Sequence, residues 1–371
     1  MKRIFTFLML ITCLSPLVMA QHTSRSQQPQ ETTVVYLLPL NSSNVGQSNT
    51  AGLKESKDID RTFSRSVIGF WCGAQIALDQ LAEQGRNLKV IAREVNSKDS
   101  VKLEQIFEEE SVRNAQLIIA PVPKDMFPQV AEHAKKLRIP VVNPLSPNSD
   151  IITGNPYVYK MLPHADAKAA TLAEHFEGAH FIIWGNFHAD EYENYFKAHD
   201  IPYEIIDEES SFTARLRSDT SNVVIACPAH NNAYAQVANA LVNRSRMPQF
   251  YWVLPESLLN NNGFDLSILS PFKIYFLSDF FADDQSEDAQ VFIDKYVRTY
   301  NTLPTVKNYA YQGYDATYFF VELICNGFHI PKEFQPLCSQ LKFRRPDKAN
   351  GFENYGVRLV QLNHLQYSII Q

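Results

Sequence analysis

Short, β-branched apolar runs alternate with helix-length amphipathic stretches through most of this chain, and that alternation admits few folds. Residues 33–40 form a continuous apolar strand of the kind buried on both faces. Residues 63–84 follow at helical spacing, with Val67, Phe70, Trp71, Ala74, Leu78 and Leu81 on one face and Gly85 as the stop. Strand 88–93, helix 100–111, strand 115–120, helix 125–137 and strand 139–143 continue with the short loops of parallel βαβ units. A second series opens after Pro144: strand 157–161, helix 165–176, strand 181–184, helix 189–198, strands 203–206 and 222–227, helix 232–242 and strand 250–254. The tail breaks the rhythm, with strand 273–278, helices 287–300 and 309–326, and strands 357–362 and 365–370. The expected class is α/β, two lobes with parallel sheets joined by a multi-crossover hinge. Residues 33–143 plus 279–330 are assigned to lobe 1, and 144–278 plus 331–371 to lobe 2.

The amino terminus reads as an export leader. Met1-Lys2-Arg3 precedes an apolar run from Ile4 to Leu14, and Pro16, Val18 and Ala20 offer short side chains before a cut after residue 20. The run is too short for a permanent span, which needs about 20 residues. The chain is therefore expected in the periplasm, without a transmembrane segment once the leader is gone, and with residues 21–32 as a polar, flexible lead-in. The remaining stretch, about 350 residues, divides more naturally into two domains than it fills one core. A formal net charge of −6 argues against nucleic acid or anionic lipid as a partner. Four cysteines follow the leader, too few for a disulfide-built scaffold. Cys325 and Cys338, thirteen residues apart across Gly327 and Pro331, are placed to pair in an oxidising compartment, whereas Cys72 and Cys227 read as buried thiols.

Catalytic signatures do not occur. There is no Gly-x-Ser-x-Gly elbow, His-Glu-x-x-His helix, phosphate loop or Gly-x-Gly-x-x-Gly turn, so no catalytic residue, cofactor or metal is expected. His188-Ala189-Asp190-Glu191 is the nearest to an acid/base cluster, and a helix dipole already explains acids in a first turn. The long polar loop over 41–60 is of a length often found in functional segments. Ligands of open α/β sheets bind at the carboxyl ends of strands, which makes Lys124, Asp125, Ser146, His164, Asn186, Glu256 and Tyr314 the candidate ligand contacts. Asp125 serves equally as a helix cap.

Four segments, in order, carry a family resemblance: Phe70-Trp71-Cys72-Gly73-Ala74-Gln75-Ile76-Ala77-Leu78, Leu117-Ile118-Ile119-Ala120-Pro121, Ile139-Pro140-Val141-Val142-Asn143-Pro144-Leu145-Ser146, and residues 292–304 with Gly313-Tyr314-Asp315-Ala316. Together they resemble the type 1 periplasmic binding proteins, the fold of leucine/isoleucine/valine-binding proteins and related receptor domains. Pro255-Glu256-Ser257 and Gly351-Phe352-Glu353-Asn354 are similar to the subgroup often carried behind LysM peptidoglycan-binding repeats. The resemblance implies two Rossmann-like lobes, three crossovers and a small ligand enclosed by hinge motion, without catalysis. It also implies an ABC permease or a cell-wall component as partner. In amino-acid binders of this family, amides and hydroxyls after the third and fourth strands hold the ligand carboxylate. Here those places offer one hydroxyl, Ser146, while Pro123 and Pro147 remove amide donors and Lys124 supplies a cation suited to an anionic ligand. The expected function is thus reception of a small polar or anionic solute, amino acid-like or wall-derived. The alternative is an envelope protein that binds a partner protein or peptidoglycan through the same fold.

Overall fold

The computed structural model describes residues 31–40, 42, 56–96, 99–209, 211–229, 232–242, 248–258, 265–331, 334–364 and 366–370. The leader at 1–20, the lead-in as far as residue 30 and nearly all of the loop after Leu40 up to Glu55 lie outside them.

The first stretch runs β1 (Thr32–Leu38), α1 (Ser56–Glu83), β2 (Leu88–Glu94), α2 (Ser100–Glu108), α3 (Glu110–Arg113), β3 (Leu117–Ile119), α4 (Phe127–Leu137), β4 (Val141–Asn143) and β5 (Val158–Pro163). The second runs α5 (Ala167–His175), β6 (His180–Trp184), α6 (Asp190–Ala198), β7 (Tyr203–Ile206), β8 (Asn222–Ala226), α7 (Asn232–Val242), β9 (Phe250–Leu254) and β10 (Lys273–Ser278). The tail adds α8 (Glu287–Tyr300), α9 (Ala310–Cys325), β11 (Phe343–Arg344), β12 (Phe352–Asn354), β13 (Arg358–Asn363) and β14 (Gln366–Ile369). Two seven-stranded sheets result, in the orders β11-β12-β5-β4-β3-β1-β2 and β14-β13-β10-β9-β8-β6-β7.

The unbroken apolar strands have a direct physical consequence. A parallel sheet covered by helices on both faces buries odd and even residues alike. On β1, Val35 and Leu37 enter one core with Ile118 and Val141, while Val34, Tyr36 and Leu38 enter another with Leu117 and Val142. The second sheet repeats the plan, with Ile183, Val223 and Ile225 on one side and Ile182, Trp184 and Val224 on the other.

Three expectations are corrected. Strand 157–161, assigned to lobe 2, belongs to the first sheet, where Val158 of β5 registers with Val141 of β4. Asn155 secures that return by donating to the carbonyl of Ala131 beneath it at 2.8 Å. Segment 331–356, also assigned to lobe 2, stays with the first sheet, because β12 pairs with β5 and β11 with β12. Helix 100–111 is broken at Glu109, whose ψ of 127° is extended; its carboxylate forks onto Arg93 of β2 at 2.6 Å instead. The chain therefore leaves the first sheet after Pro163, returns after Ser278 and leaves again between Asn354 and Arg358. Those are three crossovers.

The long helices of the first lobe, α1 and α9, cross in backbone contact. A Cβ added at Gly73 would stand 1.8 Å from the carbonyl oxygen of Ala310, and one at Gly313 would stand 1.9 Å from that of Phe70. Neither neighbour is a side chain able to swing away. Gly313→Ala is expected to destabilise the protein toward the upper end of about 1–3 kcal/mol by forcing the helices apart; a urea midpoint equal to wild type would contradict this packing.

Candidate functional site

The crossovers form one hydrogen-bonded unit. His164 donates its amide to the carbonyl of Asn354 at 2.7 Å, so the first and third crossovers lie side by side. The Asn354 side chain donates to the carbonyls of Met161 (3.0 Å) and Gln340 (2.8 Å) and accepts from the amides of Gly356 (2.9 Å) and Lys342 (2.8 Å). Lys160, fully buried, points its ammonium at Glu353 at 2.8 Å and at the carbonyls of Leu162 and Pro163. Burial pulls the Lys160 pKa below the ordinary lysine value, while Glu353 holds it up. The His164 ring stacks on Tyr355 at 4.8 Å, and the Arg344 guanidinium lies 5.1 Å from the Tyr355 ring centre. The second crossover is attached through Arg358, which donates to the carbonyl of Phe281 at 2.8 Å. Asp315 of α9 anchors the neighbouring strap by accepting the amides of Leu337, Cys338 and Ser339 at 2.6, 2.9 and 2.9 Å.

Beside this hinge, at the carboxyl ends of β6, β8, β9 and β10, lies a cavity of about 390 Å³. Its wall includes Lys168, Phe187, Glu191, Tyr192, Cys227 and Glu256, and every lining residue comes from the second lobe. Glu256 accepts from the Ser278 hydroxyl at 2.6 Å. Burial raises its pKa above the usual carboxylate range, helped by the charge of Asp279 and opposed by Ser278 and Lys168. Burial also raises the Tyr192 phenol, and pushes the Cys227 thiol up to about 12 with the help of Glu191 and Asp190. Two larger cavities of about 580 Å³ open at the amino ends of strands, one beside Phe181 and Ile201, the other beside Thr32 and Gln116. The smaller cavity is the better site, because loops after strand carboxyl ends carry the side chains free to meet a ligand.

The candidate residues disperse. Glu256 lines the cavity, and Asn186 is next to its wall residue Phe187, with its amide nitrogen 3.4 Å from Asp207. Lys124 and Asp125 are exposed in the turn after β3. Ser146 is buried in a turn of its own: its amide donates to Asn143 Oδ1 at 2.7 Å and its hydroxyl accepts from the amide of Asn148. His164 is a hinge residue. Tyr314 is a core residue of the first lobe, packed on Phe292 at 5.0 Å and donating to Gln80 at 2.8 Å. The Cys325–Cys338 pairing is corrected: both thiols are free. Cys325 ends α9 against Thr32, whereas Cys338 lies over Asp315, ten residues and so about 15 Å back along the helix, beyond the roughly 7 Å a disulfide spans. Cys227 is buried as expected, and Cys72 is only half-buried.

Sequence reasoning passed over Lys168 and Tyr192, and read Cys227 as a buried thiol and not as a wall residue. The last two sit in segments that read as an ordinary amphipathic helix and strand, and no local signal marks them. Lys160 was likewise inconspicuous. Among the described residues, no group of three or more His, Cys, Asp or Glu side chains could hold a metal ion. No described helix is long and apolar enough to cross a membrane.

No family model matches the chain, and no curated protein matches it in sequence. Solved structures do match in shape. A protein of Rhodospirillum rubrum assigned to a branched-chain amino acid ABC transporter superimposes with a TM-score of 0.58 at 12% identity, over 92% of this chain and 100% of that one. A branched-chain amino acid ABC transporter periplasmic ligand-binding protein of Burkholderia xenovorans gives 0.52 at 11% identity, over 92% and 94%. An ABC transporter substrate-binding protein of Desulfitobacterium hafniense gives 0.50 at 15% identity, over 92% and 100%. With two seven-stranded sheets and three crossovers on the page, these likenesses establish that the chain has the fold of the type 1 periplasmic binding proteins.

Proposed function

We propose that the chain is an exported, non-catalytic solute-binding protein that closes its two lobes over a small polar ligand and presents it to an ABC permease. The observation that carries this reading is the Glu256 cavity: about 390 Å³, at the strand ends where ligands of α/β sheets bind, beside the three-crossover hinge. Because its wall comes from one lobe alone, the other half of the enclosure is left to the first lobe, whose strand ends at Ala120 and Asn143 occupy the corresponding position. The similarity to solved substrate-binding proteins supports the same reading, as does the leader-like amino terminus.

A ligand that binds only the folded protein stabilises it by about 2.7 kcal/mol at a hundredfold excess over its dissociation constant. A thermal-shift screen of amino acids, amines, peptides and cell-wall fragments is therefore expected to yield at least one compound that raises the melting temperature by several degrees. The same compound should shrink the radius of gyration in solution scattering, as closure requires. A complete absence of shifts would overturn the reading.

A further inference from the structure

Resting on that reading, we infer that the ligand of the Glu256 cavity is an organic ammonium ion, an amine that needs no carboxylate of its own. Three independent features of the wall lead there. The first is charge. Glu191 and Glu256 both line the cavity, Lys168 is the single lysine or arginine that does, and the charges of Asp190 and Asp279 bear on Cys227 and Glu256. His188 also lines it, its ring nitrogen 3.5 Å from Glu191, and two carboxyl groups against one lysine leave the wall suited to a cation.

The second feature is the supply of donors. An anion is held by unused N–H groups at strand and helix ends, and several of those around the cavity are missing or spent. Pro228 and Pro255, which open the loops after β8 and β9, have none. The amides of Phe187, Cys227 and Ala229 donate to the Cys227 carbonyl, the Trp184 carbonyl and Glu208. In the first lobe Lys124 is exposed after β3, but the loop amides are again reduced. Pro121 and Pro144 open its loops, and the amides of Leu145 and Ser146 both serve Asn143 Oδ1.

The third feature is aromatic. Phe187, Tyr192 and Tyr234 line the same cavity, and aromatic faces attract ammonium groups, the more so where water is excluded. Phe187 keeps 57% of its surface exposed where it lines the cavity, so it is accessible to a ligand. Ser278 occupies Oε1 of Glu256, and Oε2 has no hydrogen-bond partner among the described residues. An ammonium has three N–H donors to offer that oxygen.

Matched compounds test the inference. Titration calorimetry and thermal shift on the exported protein would compare phenethylamine with phenylalanine and 3-phenylpropionate, and pentylamine with norleucine and hexanoate, with putrescine, spermidine and choline added as further amines. The expected result is that an amine binds about tenfold or more tighter than its matched amino acid, that the carboxylates do not bind, and that Glu256→Gln weakens the amine by at least about tenfold. Glutamine still accepts from Ser278, and an unliganded melting curve like that of wild type shows the variant folded. Tighter binding of the amino acids or carboxylates, or amine binding indifferent to Glu256→Gln, overturns the ammonium assignment and leaves solute binding standing. If nothing in this set or in the broader screen binds, solute binding falls, and the ammonium assignment with it.

Discussion

Glu353→Leu should destabilise the protein by about 3–5 kcal/mol, the cost of leaving a buried charge without its partner. Lys160 is wholly buried and Glu353 is 3% exposed. The carboxylate, 2.8 Å from the ammonium, also accepts from Ser149 at 2.5 Å. Leucine keeps most of the volume, so the loss reports charge and not a cavity. The carbonyls of Leu162 and Pro163 solvate the ammonium in part but cannot neutralise it. Lys160→Met on the same background removes the orphaned charge and should return stability to within about 1–2 kcal/mol of wild type, since apolar replacements of buried pairs are often neutral. A double variant as unstable as the single one would show that the pair is not the origin of the effect. The pH dependence gives a second reading. Burial already depresses the Lys160 pKa in the folded protein, and losing Glu353 depresses it further, so the folded variant binds fewer protons than the unfolded chain. Its stability must rise with pH toward the ordinary lysine value, and its deficit against wild type should narrow between neutral and alkaline pH.

Asp315→Ala is expected to cost a similar amount, about 3–5 kcal/mol, for a related reason. Asp315 is fully buried and takes three consecutive amides, those of Leu337, Cys338 and Ser339. Its charge also balances the buried Arg358 guanidinium, which ties the same strap to Phe281 across the second crossover. Alanine leaves three desolvated N–H groups and removes the largest of the charges that balance Arg358. Hydrogen exchange locates the damage: the amides of 337–339 should lose protection while those of β6 and β8, in the other lobe, keep theirs. Unchanged protection at 337–339 would refute the anchor. Both substitutions act on segments beside the crossovers, so either should also blunt the lobe closure proposed above.

Much of the architecture was legible from local pattern. Strands 203–206, 250–254 and 273–278 and helix 287–300 lie where spacing placed them, because continuous β-branched runs and a serine cap at Ser286, which accepts the amide of Ala289, are local devices. The break at Glu109 escaped notice because Arg93, the residue that rewards it, lies on β2 and not in the helical segment. Of Gly313-Tyr314-Asp315, the sequence reading took Tyr314 as a candidate ligand contact. Tyr314 is core, and Asp315 carries the polar work because it is the residue that meets the 337–339 amides.

The candidate site divides in the same manner. Glu256 was visible as an acid directly after a strand, the position where an α/β sheet presents side chains to a ligand. Lys168, Tyr192 and Cys227 became its neighbours only when three separate segments converged. Alternation, strand burial and loop length are written in residues a few positions apart, and they suffice for two lobes with mostly parallel sheets. Which lobe receives β5, β11 and β12, and how the crossovers are tied together, depends on partners such as Ser149 and Glu353, 204 residues apart. Contacts of that range leave no period in a sequence, because each is a meeting of two sites whose surroundings are independently ordinary.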